Sequence, residues 1–172
     1  MIILKKYKSV GSTSAIAKKT NYKPWTVIWS EEQTSGHGQK TNYWFSPKGG
    51  LYFSIILPKS TIEDLQTLTI LASFVVSKVI KDNFKIEPFI KLPNDIFVNQ
   101  KKISGILTEN IIGDDIKFSI MGIGIDTNIE KYPKDLENIA TSLKIETGKE
   151  INNEQILKEV VRGIKNQLKI IS

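Results

Sequence analysis

The sequence predicts a mixed α/β (α+β) fold: a mixed, largely antiparallel sheet packed against helices. Three observations carry this. The middle of the chain is built from short β-branched runs separated by turn residues. Apolar residues at helical spacing appear before that region and again near the C-terminus. The strands do not alternate with helices in a regular βαβ repeat, so a wholly parallel sheet is not expected.

The elements follow in order. Residues 2–7 read as a strand, and Ser12 or Thr13 caps a short helix that runs to about Lys19. Residues 25–30 and 51–57 are apolar and β-branched, giving two more strands. Between them, 31–47 is polar, glycine-bearing and too irregular for either element, and loops of that length in compact domains are usually functional or disordered. Thr61-Ile62-Glu63-Asp64 resembles a capping box opening a long helix. Its stripe is Leu65, Leu68, Ala72, Val75 and Val79, widened by Leu71, Phe74 and Val76, which predicts a deeply buried helix. Short strands at 89–91 and 96–98 surround Pro93-Asn94-Asp95. Asn99-Gln100-Lys101 turns the chain into a strand at 102–111, and Gly113-Asp114-Asp115 makes a hairpin turn into 116–123. The C-terminal third reads as helical, with Ile156, Leu157, Val160, Val161, Ile164 and Leu168 on one face of the last helix.

Composition excludes several classes of function. The 172 residues fit one domain, 1–172, with no internal repeat or low-complexity linker. There is no cysteine, so disulfides, thiolate metal sites and a cysteine nucleophile are ruled out. His37 is the sole histidine, which rules out a histidine-based metal cluster. The first residues are too short an apolar stretch for a secretory signal, and no segment approaches the ~18 apolar residues of a membrane span. A cytoplasmic protein without a membrane partner is expected. The formal charge is +6, but the lysines are scattered and no run of five like charges forms a basic tail. A solvated lysine-rich surface accounts for this more simply than nucleic acid does. Attraction to an acidic protein or to phosphates is the third reading.

Three segments carry candidate chemistry. In the first, Gln33 leads into Gly36-His37-Gly38-Gln39-Lys40-Thr41-Asn42-Tyr43-Trp44. Its glycines allow close backbone approach to a ligand, His37, Gln39, Lys40 and Asn42 supply donors, and Trp44 supplies an apolar wall. A plain surface loop is equally compatible with it. In the second, Lys91 and Asp95 bracket Leu92-Pro93-Asn94, an arrangement able to hold a nucleotide phosphate and its magnesium, although turn statistics alone favour a simple turn. In the third, Lys102 opens a strand that contains Gly105. Glycine inside a strand often marks close approach of a ligand, and a lysine there can stabilise charge developing on a phosphoryl group. A solvated edge lysine beside a bulge is the plainer alternative. No G-x-x-x-x-G-K-[ST] occurs, so an ATP site here is not a Walker loop.

Taken in order, these segments resemble the biotin protein ligases over essentially the whole chain. Ser12-Thr13 sits where the family has Ser-Thr-Asn, and Gln33 precedes the glycine loop. Lys91-Leu92-Pro93-Asn94-Asp95 looks like K-W-P-N-D, and Lys102-Ile103-Ser104-Gly105-Ile106-Leu107 like K-[LIV]-[AGS]-G-[IL]-L. Gly122-Ile123-Gly124-Ile125-Asp126-Thr127-Asn128 looks like G-[IA]-G-[ILV]-N-x-N.

The resemblance implies a biotin–lipoate ligase fold, similar to class II aminoacyl-tRNA synthetases. It implies ATP-dependent adenylation of biotin, then transfer to a lysine of a biotin carboxyl carrier protein. The substrates would be ATP and biotin, with Mg2+ and with Asp95 as its candidate ligand. The biotin pocket would draw on Ser12, Thr13, Ser14, Gln33, Gly36, His37, Gly38, Gln39, Lys102 and Gly105. The ATP site would draw on Gln39, Lys40, Trp44, Lys91, Asn94, Asp95, Lys102, Asp126 and Asn128. Lys102, Lys40 and Lys91 would be the catalytic cations. The acceptor is expected to be acidic, no nucleic acid is expected, and a homodimer is left open.

This chain departs from the family pattern in several places. The usual loop is G-R-G-R-x-G-R-x-W, whereas His37, Gln39, Thr41 and Asn42 stand where it has arginine or glycine, so that Lys40 becomes the loop cation of a G-x-G-S-R-x-N-x-W variant. Ser14, Leu92 and Asp126 replace asparagine, tryptophan and asparagine. Neither an N-terminal winged helix nor a C-terminal β-domain is expected within 1–172, and hence no repressor activity. A lipoate-type ligase or acyltransferase of the same fold is the alternative enzyme, and a non-catalytic biotin-binding protein the alternative of another class.

Overall fold

The computed structural model describes residues 2–19, 22–58, 64–112 and 116–170. Its elements are β1 (Ile3–Tyr7), α1 (Thr13–Lys19), β2 (Thr26–Ser30), β3 (Leu51–Leu57), α2 (Leu65–Phe84), β4 (Phe89–Lys91), β5 (Asp95–Val98), β6 (Lys101–Ile112), β7 (Ile116–Ile125), α3 (Leu143–Thr147) and α4 (Asn153–Ile170). The seven strands form one sheet in the order β1-β2-β3-β7-β6-β5-β4. Only β1 and β2 run parallel, and every other pair is antiparallel. The mixed, largely antiparallel sheet matches the expectation.

Strand periodicity sorts the side chains onto two faces. Leu51, Phe53, Ile55 and Leu57 of β3 join Met121, Ile123 and Ile125 of β7 in the large core. Helices α2 and α4 cover that face, through Leu68, Ala72 and Val76 and through Ile156, Leu157, Val160, Val161, Ile164 and Leu168. The opposite face holds a smaller cluster, Ala17 of α1 against Ile28, Ile56 and Ile120. The short helix α1 covers only part of that face, and the remainder is where the functional cleft lies.

Several sequence expectations are modified. The long helix is capped by Asp64, whose carboxylate accepts from the Gln66 and Thr67 amides. Of the expected capping box, Thr61, Ile62 and Glu63 lie outside the described residues, as does the Gly113-Asp114-Asp115 turn. Phe74 is 59% exposed, so α2 is not buried all round. The stripe at Leu68, Ala72 and Val76 already fills the interface, and Phe74 falls on the solvent side of it. The C-terminal third is not continuously helical: 126–142 holds neither helix nor strand, because its polar groups tie the β7 end to neighbouring loops.

Gly163 lies inside α4, where glycine costs about 1 kcal/mol relative to alanine. A Cβ there would stand 2.6 Å from Val75 Cγ1 on α2. Val75 is β-branched and stiff, so it cannot swing away cheaply. Gly163→Ala is expected to be net destabilising by about 1 kcal/mol, overpacking of ~1–3 kcal/mol outweighing the propensity gain. In a Val75→Ala background the same change is expected to stabilise. Urea unfolding of the four proteins tests this, and a stabilised Gly163→Ala single mutant contradicts the packing argument.

Candidate active site

The open part of the second sheet face is made bare by glycine. Gly122 and Gly124 lie two apart on β7 and so share a face. Gly105 of β6 pairs directly with Gly124, and Asp95 of β5 pairs with Gly105, forming a row across three strands. A Cβ on Gly124 would stand 2.6 Å from Trp44 Nε1, and one on Gly105 2.9 Å from Trp44 Cζ3. The indole therefore lies directly on the paired glycine backbones. A Cβ on Gly122 would approach Ser14 Oγ to 2.9 Å. These close approaches explain why glycine stands at all three positions.

The cleft above this ledge has a volume of about 170 Å3. Its inner end is a hydroxyl cluster at the start of α1. Thr13 Oγ1 lies 2.8 Å and Ser14 Oγ 3.0 Å from Ser54 Oγ of β3. Gln33 Oε1 accepts from the Thr13 amide at 2.9 Å, while its Nε2 donates to Ser46 Oγ at 3.0 Å. Gln33 thus supplies from outside the helix the cap expected of Ser12 or Thr13, although Ser12 does flank the helix and lines the cleft.

The wall is the segment expected to be irregular. It folds back on itself: the Gly38 amide donates to Asn42 O at 2.7 Å and the Trp44 amide to Gly36 O at 2.9 Å. A single 3₁₀ turn, Gln39–Thr41, forms the tip, and Lys40 adopts φ 54° there. This brings His37, Gly38, Gln39 and Trp44 to the cleft.

At the outer end Lys102 Nζ lies 2.7 Å from Asp95 Oδ1 and 5.1 Å from the centroid of the Trp44 ring. Asn94 Nδ2 donates to the same Asp95 oxygen at 2.9 Å. Lys102 and Trp44 also border a second cavity of about 190 Å3, lined by Tyr43, Phe45, Asp126, Tyr132, Leu136 and Ile139 among others. Burial pushes the Asp126 carboxyl up to about 8, although the Tyr132 hydroxyl, donating to Oδ2 at 2.9 Å, and the Lys102 charge both oppose that shift.

Of the residues singled out from the sequence, Ser12, Thr13, Ser14, Gln33, His37, Gly38, Gln39, Trp44, Asn94, Asp95, Lys102 and Gly105 line the cleft together. Gly36 stands just behind it, packed against Ser46 and the Trp44 carbonyl. Asp126 borders the second cavity instead. Lys40 and Lys91 are not among the lining residues of either cavity. Asn128 also lies apart: its side chain donates to Ile151 O and accepts from the Ile151 amide, which ties β7 to the start of α4. Ser54 and Tyr132 were not singled out. Ser54 left one signal, a polar residue inside the apolar run 51–57, and Tyr132 left none.

No helix among the described residues is long and apolar enough to cross a membrane. Among the same residues no three acidic or histidine side chains cluster to hold a metal.

The fold has counterparts among known proteins. A solved structure described as biotin protein ligase from Aquifex aeolicus in complex with biotin and ATP superposes with a TM-score of 0.91 at 32% identity, covering 98% of this chain and 71% of that one. The Bifunctional ligase/repressor BirA of Bacillus subtilis is 36% identical over 141 residues, which is 79% of this chain and 43% of that protein. Biotin--protein ligase 1, chloroplastic, of Arabidopsis thaliana is 31% identical over 111 residues, 61% of this chain and 30% of that protein. The chain thus spans less than half the length of these two relatives. The model of the Biotin/lipoate A/B protein ligase family matches residues 7–126, the stretch holding the hydroxyl cluster, the Trp44 wall, the Asp95–Lys102 pair and the glycine ledge, and the chain belongs to that family.

Proposed function

We propose that this chain adenylates biotin with ATP and transfers the biotinoyl group to a lysine of an acidic biotin carboxyl carrier protein. The observation that carries the reading is the position of Lys102, which borders both the glycine-floored cleft and the aromatic cavity. A carboxylate in the first and a nucleoside in the second would meet at its ammonium.

In the first step a carboxylate oxygen of biotin attacks the α-phosphorus of ATP. The bond from that phosphorus to the bridging oxygen breaks, and pyrophosphate leaves. In the second step the acceptor lysine amine attacks the acyl carbon, AMP leaves, and the amine loses a proton. Both steps place negative charge near Lys102, and a cation already held at that point stabilises it. The hydroxyls of Ser12, Thr13 and Ser14 offer hydrogen bonds to the polar end of the acyl substrate, and its ring would lie in the cleft between Ser14, which rests on Gly122, and the Trp44 indole, which rests on Gly105 and Gly124. Much of the catalysis is positioning.

Among the described residues Asp95 is the one carboxylate lining the cleft, and one of its oxygens is already engaged by Lys102 and Asn94. That donor set suits a magnesium ion that keeps most of its waters and binds chiefly to nucleotide phosphates. Such an ion would supply charge neutralisation on the triphosphate. Asp95 would hold it, and Lys40 and Lys91 would meet the phosphates from outside the cleft.

The test is pyrophosphate release from ATP with biotin, repeated with lipoate. Release with biotin at least tenfold faster than with lipoate is expected. Release with lipoate alone would favour the lipoate-type reading, and release with neither would overturn the enzyme.

A further inference from the structure

The hydroxyls at the inner end of the cleft form a chain whose direction is fixed at one end. A backbone N–H only donates, so the Gln33 atom that meets the Thr13 amide at 2.9 Å is its carbonyl oxygen, Oε1. The Gln33 amide nitrogen then faces Ser46 and donates to Oγ at 3.0 Å, and the Ser46 hydroxyl donates in turn to Trp44 O. The Thr13 hydroxyl also donates to Gln33 Oε1, at 3.2 Å. A hydroxyl has a single proton to give. With the Thr13 proton committed to Gln33, the 2.8 Å contact between Thr13 and Ser54 is a bond that Ser54 donates. The Ser54 proton is then committed as well, so Ser14 donates to Ser54 across 3.0 Å. The opposite direction would set a lone pair of Thr13 Oγ1 against the Gln33 carbonyl oxygen. The relay therefore runs from Ser14 through Ser54 and Thr13 to Gln33 and uses every hydroxyl proton in it. Thr13 and Ser14 have only lone pairs left to offer the cleft.

Ser54 is the link on which this depends. It is fully buried and is not among the residues lining the cleft, whereas Thr13, Ser14 and Gln33 are. On β3 it pairs with Ile28 of β2 and with Gly122 of β7. The bare Gly122 leaves room for Ser14 to reach down to it: a Cβ there would stand 2.9 Å from Ser14 Oγ and 3.7 Å from Ser54 Oγ.

We propose that Ser54 is a positioning residue that sets the hydrogen-bonding sense of the inner cleft, so that Thr13 and Ser14 accept N–H groups of the acyl substrate and reject an acceptor presented in their place. This rests on the ligase reading above, in which the ureido ring, with its two N–H groups, is the polar end of biotin. The dithiolane of lipoate has no donor to present to such an end. Ser54 acts through its neighbours and does not touch the substrate. Its removal frees the Ser14 proton to turn into the cleft, and a lone-pair surface becomes one that can donate.

The experiment compares biotin with its two cyclic carbamate analogues, in which a ring oxygen replaces one ureido N–H or the other. The oxygen is close in size to the N–H but sets a lone pair where the proton was. Pyrophosphate release from ATP is measured for the intact chain, Ser54→Ala and Thr69→Ala. The intact chain is expected to favour biotin over at least one analogue by about tenfold or more in kcat/KM, because an acceptor would face an acceptor. In Ser54→Ala that preference should fall about fivefold or more, while the KM for biotin rises severalfold and kcat stays within about twofold. Thr69→Ala removes a buried hydroxyl pair of the same kind under α2, where Thr69 Oγ1 donates to Thr108 Oγ1 at 2.9 Å. It should lower the melting temperature without moving the preference. Ser54→Cys fills the position with a thiol, a weak donor and acceptor, and should shift the preference in the same direction, so the test stands if the alanine variant does not fold. An intact chain that uses biotin and both analogues equally overturns the assignment. A preference unchanged in the Ser54 variants, or one that falls equally in Thr69→Ala, also overturns it, and both results leave the ligase reading intact. No release with biotin from the intact chain overturns the ligase reading itself.

Discussion

Lys102→Ala is expected to fold and to lose biotin-dependent pyrophosphate release by about 10²–10³-fold, the usual consequence of removing one charge-stabilising donor. The fold should tolerate the change. The Lys102 side chain is about one-third exposed, its pair with Asp95 is open to solvent, and pairs of that kind contribute little to stability. The backbone of Lys102 is held independently, its amide donating to Ile139 O and its carbonyl accepting from the Thr141 amide. The loss should therefore appear in kcat far more than in the melting temperature. Lys102→Arg is a sharper probe. It keeps the charge, but a planar fork cannot reproduce a point charge packed beside Trp44, so only partial recovery is expected. Pyrophosphate release from Lys102→Ala within twofold of wild type would show that the charge at this junction does not serve the reaction.

Asp126→Asn should make the chain markedly more stable in mildly alkaline solution, relative to its effect in acid. In the folded chain burial raises the Asp126 carboxyl to about 8, against an ordinary value of 3.8. Between those values the folded state holds one more proton than the unfolded state, so stability falls as the pH rises. The slope for one proton is about 1.4 kcal/mol per pH unit. The contribution is fully present below about pH 4, is lost progressively up to about pH 8, and is constant above that. Asparagine does not titrate, and it can still accept from the Tyr132 hydroxyl through its amide oxygen. The stability difference between variant and wild type should therefore grow by a few kcal/mol between pH 5 and pH 8, since every other titrating group is common to both proteins. Urea unfolding at several pH values measures it. A difference that does not change with pH would mean that the folded chain carries Asp126 ionised throughout.

The strands and helices were legible wherever periodicity spoke alone. Residues 51–57 form a strand buried on both faces, and such a run needs no knowledge of its neighbours. The α4 stripe at Ile156, Val160 and Ile164 was visible because a helix that packs with one face must place apolar residues at that spacing. The irregular wall was less legible. Its hairpin is held by backbone bonds between Gly36 and Trp44 and between Gly38 and Asn42, and backbone bonds leave no residue signature.

The sequence by itself determined the chemical inventory: no thiol, a single histidine, lysines and two aspartates, Asp95 and Asp126, set beside glycine-punctuated strands, and the order of motifs that resembles one family. Only the tertiary structure decided which of those residues meet. Register places Asp95, Gly105 and Gly124 in one row, and a shift of one residue would turn each to the opposite face. It puts Trp44 on two glycines, Gly105 and Gly124, that lie 61 and 80 residues further along the chain, a contact that no local pattern encodes. It removes Asn128 from the cleft by engaging its amide with Ile151, and it buries Asp126 beside Tyr132, a residue without any signal of its own. The physical reason is the same in each case. Periodicity and turn chemistry are properties of neighbours along the chain, whereas burial, pairing and the proton affinity of a carboxyl group depend on what the fold brings against it from elsewhere.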